Sequence, residues 1–276
     1  MSKINIAILG SGPLAELCAK KIKARSDLNV LSVDATSATP TEADCLIYLP
    51  STEELTAGDA SARILSLLQQ GFNVVTPVPP EAMAQPDLLA ACKQGNATFH
   101  GSGGFQNSLP SRFNRAFSTI TRDIRKVELT EELPVEALDD TTAAKTDPYY
   151  QGALHTLAEA VFGDALATEN GTSVVDDNSN QNELSVFRSL GDQVVYASKW
   201  TRPKDNSIPL RYRLRTVSDE ATGITTITFN NDSDAAITDH LTCKSLLNAV
   251  TAATRSAPGI LHHDLEINYV MPDNRL

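Results

Sequence analysis

The chain has 276 residues, 41% of them hydrophobic and 21% charged, with a formal net charge of −11. That length suits one large domain or two modest ones. The acid excess argues against nucleic acid or anionic membrane as a partner, and no apolar run approaches the roughly 20 residues of a membrane helix.

The chain opens on one lysine and then a strand-like run, so no signal peptide is expected and the cytoplasm is the expected compartment. Cys18, Cys45, Cys92 and Cys243 fall singly in apolar segments, without CxxC or metal-ligand spacing. Buried thiols are expected, and no metal site.

Residues 3–9 (KINIAIL) read as a buried strand. Residues 13–25 place Leu14, Leu17, Cys18 and Ile22 at helical spacing, with Pro13 suited to a first turn. Residues 29–34 form a second strand ending in Asp34, and 44–49 a third. Residues 59–70 predict a helix between an Asp59 cap and a Gly71 stop. FNVVTPV is a fourth strand, 84–94 a helix ending at Gly95, and ATFHGSG a fifth strand. This alternation argues for a parallel, doubly wound sheet.

Only nine residues separate Asp34 from Asp44, too few for a βαβ crossover. Either the chain crosses directly to the other half of the sheet, or the adenosine side is unusually open.

From residue 124 the pattern changes. IRKVELTEEL, NELSVFRSL, DQVVYASKW, LRYRLRTV and GITTITFN alternate with period two. A helix at 152–162 and a polar loop at 170–182 lie between the first two of these strands. A final helix over 239–256 is expected to return to the first domain. The fold class read here is an α/β Rossmann-type parallel sheet with a second α+β, mainly antiparallel domain. Residues 1–123 and 241–276 are assigned to the first domain, and 124–240 to the second, as substrate and dimerisation domain.

Gly10-Ser11-Gly12-Pro13-Leu14-Ala15 fits G-x-G-x-x-A, a form of the dinucleotide fingerprint. Gly10 permits the tight turn, Gly12 lets the backbone approach a pyrophosphate, and Ala15 lets helix and strand pack closely. The pyrophosphate would meet the helix N-terminus. Asp34 stands where a carboxylate accepts from ribose hydroxyls, which favours NAD slightly over NADP; Thr36 and Ser37 beside it would suit a phosphate.

Four segments carry a resemblance: the fingerprint, ADCLIYLPS, LLQQGFNVVTPVP with KQGNATFHGSG, and LLNAVTAATRSAPGILHHDL. They resemble the dihydrodipicolinate reductase-like NAD(P)-dependent oxidoreductases, the group of 2,4-diaminopentanoate dehydrogenase and the native amine dehydrogenases. The resemblance implies hydride transfer between a nicotinamide and a small amine or imine. It also implies a homodimer with the small-molecule substrate between the domains. Carried over, the cofactor residues are Gly10, Ser11, Gly12, Pro13, Leu14, Asp34, Pro50, Ser51, Thr76, Pro77, Gly101, Gly103 and Asn248. In the amine dehydrogenases a Glu directly after the fourth strand handles the amine proton. Here Val78-Pro79-Pro80 precede Glu81, which lies one or two residues later and is the catalytic candidate. A first-turn acid of the next helix is the other reading of Glu81. The family's glycine motif after the fifth strand continues here as Gly104-Phe105-Gln106-Asn107.

His100, at a strand end where such sheets bind ligands, is the second catalytic candidate, with core packing as its alternative. His155 pairs with Glu159 at helical spacing, the pattern of a solvated face. His262 and His263 could touch substrate. Lys145-Thr146-Asp147-Pro148 loosely matches a dihydrodipicolinate reductase motif, and Lys145 reads as a surface lysine. Tyr149, Tyr150 and Trp200 read as core or interface. Arg211, Arg213 and Arg215 share one strand face, solvated or subunit-facing. A catalytically degenerate protein that binds a dinucleotide as scaffold or sensor is the alternative function.

Overall fold

The apolar run Ile4–Leu9 forms β1, fully buried from Ile6 to Ile8, because helices cover both faces of its sheet. The structure is a computed structural model that describes residues 3–33, 42–102, 121–134, 140–163, 166, 171–178, 183–201, 209–230 and 235–261. Two compact units emerge: Met1–Phe105 with Thr238–Leu276, and Gln106–Ile237.

In the first unit, β1 leads into α1 (Pro13–Lys23) and β2 (Leu28–Val33). Then follow β3 (Cys45–Tyr48), α2 (Thr52–Ala57), α3 (Asp59–Gln69) and β4 (Asn73–Thr76). A single 3-10 turn, Pro80–Ala82, precedes α4 (Gln85–Gly95) and β5 (Thr98–Gly101). The chain returns late through a long helix, Ile237–Arg255, and β12 (Gly259–Ile260), which pairs with β5.

The sheet order is β12-β5-β4-β3-β1-β2, and each pair is parallel. The chain therefore crosses directly from edge strand β2 to β3 on the other side of β1. That crossing answers the short Asp34–Asp44 interval and creates the switch point of an open α/β sheet beside β1. One face packs Ala15, Cys18 and Ile22 of α1 with Cys243, Leu246 and Val250 of the returning helix. The other packs Ile64 and Leu68 of α3 with Leu88 and Cys92 of α4. All four cysteines are buried and free, and burial pushes the Cys45 thiol above its ordinary range.

Side chains tie the strand starts together at the edge opposite the switch-point crevice. The backbone N–H of Asn5 donates to Asp44 Oδ2 (2.8 Å), Asn73 Nδ2 donates to the Asp44 carbonyl (2.9 Å), and Asn73 Oδ1 accepts from Thr98 N–H (2.9 Å).

The second unit contains β6 (Ile124–Pro134), α5 (Asp140–Phe162), β7 (Thr172–Asn178), β8 (Glu183–Leu190), β9 (Val194–Thr201), β10 (Leu210–Ser218) and β11 (Thr222–Phe229). Its sheet runs β11-β10-β6-β9-β8-β7, antiparallel except for the β6–β9 pair. Alternation along β9 buries Val194, Tyr196, Ser198 and Trp200 on the face that carries α5. The opposite face carries Arg211 paired to Glu132 (2.8 Å) and Arg215 paired to Glu128 (2.6 Å), while Arg213 is exposed.

Three local readings change. The expected loop at 170–182 contains β7, because antiparallel pairing to β8 supplies hydrogen bonds that its polar sequence did not advertise. The helix expected from 152 begins at Asp140; Ala143, Ala144 and Lys145 are strong helix formers that extend it past Pro148. The helix expected to stop at Gly95 has its left-handed cap one residue later, at Asn96 (φ 53°). Gly95 is glycine for a different reason: a Cβ there would lie 1.8 Å from the Leu68 carbonyl oxygen.

Among the described residues no helix is long and apolar enough to cross a membrane, and no group of three His, Cys, Asp or Glu is placed to hold a metal.

Candidate functional site

The returning helix Ile237–Arg255 is α6. The C-terminal ends of β1, β3, β4 and β5 line one edge of the parallel sheet. Gly10 follows β1, Pro50 and Ser51 follow β3, Thr76 and Pro77 end β4, and Gly101 with Ser102 end β5. The structure thus brings most of the predicted cofactor residues to one edge.

Gly10 and Gly12 differ in what they permit. Gly10 has φ 141° and is buried, and a Cβ on it would meet the Leu49 carbonyl oxygen at 2.4 Å. It therefore seals β1 against the end of β3. Gly12 has φ 91°, is exposed, and a Cβ there would meet nothing within 4 Å. It is the N-cap of the 11-residue α1, and no side chain caps that helix. Pro13 lacks an N–H, while Glu16 N–H already bonds the Gly12 carbonyl (3.1 Å). The N–H groups of Leu14 and Ala15 remain the first-turn donors that a helix leaves open. Open space over a glycine, open donors and the positive end of a helix dipole fit the pyrophosphate of a dinucleotide.

Asp34 and Gly103 lie outside the described residues, as do His262 and His263. Asp34 would follow Val33, the last residue of β2.

Several of the predicted contact residues have structural partners. Ser51 is the N-cap of α2: its Oγ accepts from Glu54 N–H (3.2 Å), and its own N–H donates to Glu54 Oε2 (2.8 Å). Tyr48 Oη donates to the other Glu54 oxygen (2.9 Å). This capping box was legible as Ser-Thr-Glu-Glu, a signal that the motif reading passed over. Changing Ser51→Ala should lower stability by about 1 kcal/mol while leaving dinucleotide affinity within about twofold; paired melting and fluorescence titrations check both. Thr76 is buried, and its Oγ1 accepts from Val78 N–H (3.3 Å), shaping the turn after β4. Gly101 is glycine because a Cβ would lie 2.2 Å from the Val78 carbonyl oxygen and 3.0 Å from Pro80 Cδ.

Asn248 is on α6, the helix that packs beside α1. Helix α6 runs parallel to α1: the free Cys243 and Cys18 thiols are hydrogen-bonded, and the Leu247 carbonyl accepts from Arg25 Nη1 (3.4 Å), beyond the far end of α1. The helix ends at Arg255, beside Lys3, Asp44 and Gly71 at the strand starts. Asn248 lies seven residues before that end, about 10 Å along the axis at 1.5 Å per residue. Its Oδ1 is buried without a hydrogen-bond partner among the described residues.

The two catalytic candidates come from different elements. His100 is completely buried on β5, and its Nδ1 lies 3.0 Å from the Leu261 carbonyl. That contact holds the returning chain where it leaves β12. Glu81 is exposed and is the first-turn acid of the 3-10 helix Pro80–Ala82, directly after Pro80 and ahead of α4. Ala82 of that turn packs with the α3–α4 cluster, whereas Leu261 belongs to the α1–α6 cluster on the other face. Lys145 is on α5, His155 is half-buried there, and Tyr150 and Trp200 are buried in the second unit.

Fold and cradle together define a two-unit architecture, a Rossmann-type parallel sheet with a second, mostly antiparallel sheet unit. Solved structures match it over nearly their whole length. An amine dehydrogenase from Mycobacterium smegmatis aligns with a TM-score of 0.67 at 13% identity, covering 95% of this chain and 96% of its own. A myo-inositol dehydrogenase from Corynebacterium glutamicum ATCC 13032 gives 0.60 at 11% identity, over 97% and 93%. GenD2 from gentamicin A biosynthesis, solved in complex with NAD, gives 0.59 at 13% identity, over 98% and 92%. No family model matches the sequence, and no curated protein matches it.

Proposed function

We propose that this chain is a nicotinamide-dinucleotide-dependent oxidoreductase of a small molecule and, more narrowly, that it works at a carbon bearing nitrogen, as amine or imine. The observation that carries the reading is the open, uncapped cradle over Gly12 at the switch point of the sheet. The narrower statement is supported by the sequence resemblance and by the amine dehydrogenase that shares the fold. When bound, the nicotinamide supplies the hydride acceptor or donor. The chain's share is to hold and to protonate. Backbone N–H groups at Gly12, Leu14 and Ala15 receive the pyrophosphate, and Asp34 favours NAD over NADP through the ribose hydroxyls. Glu81 is the carboxylate proposed to exchange a proton with the substrate nitrogen, a step worth about 100-fold or more. A homodimer belongs to the same proposal, on resemblance alone.

A second reading is a dinucleotide-binding scaffold or sensor. The burial of His100 against Leu261 supports it, because one ring nitrogen of a proton-handling candidate is engaged by a backbone carbonyl. Titrating NADH and NADPH by fluorescence, then following NADH consumption with ammonia and a panel of small ketones and aldehydes, separates the two. Enzyme function requires turnover with at least one carbonyl, and a kcat loss of about 100-fold in Glu81→Gln with unchanged NADH binding. Binding without turnover leaves the scaffold, and binding of neither nucleotide overturns both.

A further inference from the structure

The second unit buries a polar layer that dinucleotide chemistry does not use. Glu131 projects from central strand β6 in phase with Val127 and Leu129 and is 1% exposed. Its Oε2 accepts from Tyr196 Oη of β9 (2.5 Å), and its Oε1 from Tyr150 Oη of α5 (3.4 Å). Tyr212, directly opposite on β10, bonds the same carboxyl. Arg188 of β8, also fully buried, lays its guanidinium 4.2 Å over the Tyr150 ring and donates to Ser198 Oγ (3.2 Å). Trp200 packs against Tyr150 at 5.8 Å between ring centroids and is 2% exposed.

We propose that Glu131, Tyr150, Tyr196, Tyr212 and Arg188 form a proton-operated latch that fastens α5 to the second sheet, tight when Glu131 is ionised and slack when it is protonated.

The hydrogen-bond inventory gives the reason. An ionised carboxylate only accepts, so it can take the phenol protons of Tyr150, Tyr196 and Tyr212 together. One proton from solvent turns one of its oxygens into a donor. Three donors then face a group with less acceptor capacity, and the longest bond is released first. That bond is the 3.4 Å contact of Tyr150, the one member of the layer that belongs to α5 rather than to the sheet. Among the described residues, the ionisable groups facing Glu131 are Tyr150 from α5, Arg188 from β8, Tyr196 from β9 and Tyr212 from β10.

Burial pushes the Glu131 carboxyl above its ordinary range, while the Tyr196 and Tyr212 bonds, the Arg188 charge and the Tyr150 bond pull it back. The latch therefore slackens at a pH above the ordinary glutamate value. As a linkage effect the sign is opposite to that of a salt-bridged acid. A raised folded value means that this group's contribution to stability falls as pH rises from the ordinary glutamate range to the raised one.

Trp200 is the only tryptophan of the chain and lies against Tyr150, so its emission reports on the layer. The test is a pH titration of Trp200 emission and of hydrogen exchange in α5, corrected for intrinsic exchange, with far-UV circular dichroism as the control for unfolding. The expected result is a reversible emission change with a midpoint above about 4.3, coincident with faster α5 exchange at constant circular dichroism. Glu131→Gln should flatten both. Tyr196→Phe removes a bond to the ionised form and should move the midpoint upward by roughly one pH unit. If Glu131→Gln does not fold, the direction of the Tyr196→Phe shift decides. An unchanged transition in Glu131→Gln, no upward shift in Tyr196→Phe, or α5 exchange without a pH step overturns the latch. None of these readouts depends on dinucleotide binding or turnover.

Discussion

Changing Gly12→Asp should weaken nicotinamide dinucleotide binding by roughly 30- to 1000-fold while the protein stays folded. The space over Gly12 is empty to 4 Å, so a new side chain meets no protein atom. Its cost to the fold is the positive φ of 91°, of order 1–3 kcal/mol for a non-glycine residue, and aspartate lies at the tolerant end. The cost to the ligand is larger. A carboxylate would occupy the cradle, accept from the open first-turn donors, and repel the pyrophosphate at the helix end that favours an anion. Losing hydrogen bonds to a charged group costs roughly 2–4 kcal/mol, which is the stated range in affinity. NADH fluorescence and thermal melting on the same sample provide the check. Near wild-type affinity would remove Gly12 from the site.

Changing Gly95→Ala should have the opposite profile, lowering stability by about 3 kcal/mol with little direct effect on binding. The added methyl would lie 1.8 Å from the Leu68 carbonyl oxygen and 2.9 Å from the Gly71 nitrogen, both backbone atoms. Neither can rotate away, so α4 must shift off α3 and disturb the Leu68, Leu88 and Cys92 core. A denaturation midpoint resolves this, and a change below 0.5 kcal/mol, the usual scatter of surface substitutions, would contradict the packing. The contrast between two glycines, one facing empty space at a sheet edge and one wedged between helices, separates a binding position from a packing position.

Much of the first unit was readable because its signals are local. Strand, glycine turn and helix at residues 4–23 follow from β-branched runs, Pro13 and helical spacing, and each is decided by residues a few positions apart. The crossing from β2 to β3 was one of two options left by the short interval, and the strand order chose it. In the second unit, period-two alternation revealed five strands but not β7, whose hydrogen bonds come from its neighbour β8. The site was less legible. Gly101 and Ser51 match a motif, yet their immediate partners are Val78 and Glu54.

The sequence by itself determined the kind of most elements outside β7 and the start of α5, the phase of their buried faces and the glycine cradle at the head of α1, because backbone preference and side-chain period act over short separations. Only the tertiary structure decided which glycine is wedged and which is open, and at what height along α6 Asn248 stands. It also buried His100 against Leu261 and gathered Glu131 with Tyr150, Tyr196, Tyr212 and Arg188 from five elements into one layer. Those outcomes depend on contacts between residues tens to hundreds of positions apart, and no local preference specifies such contacts.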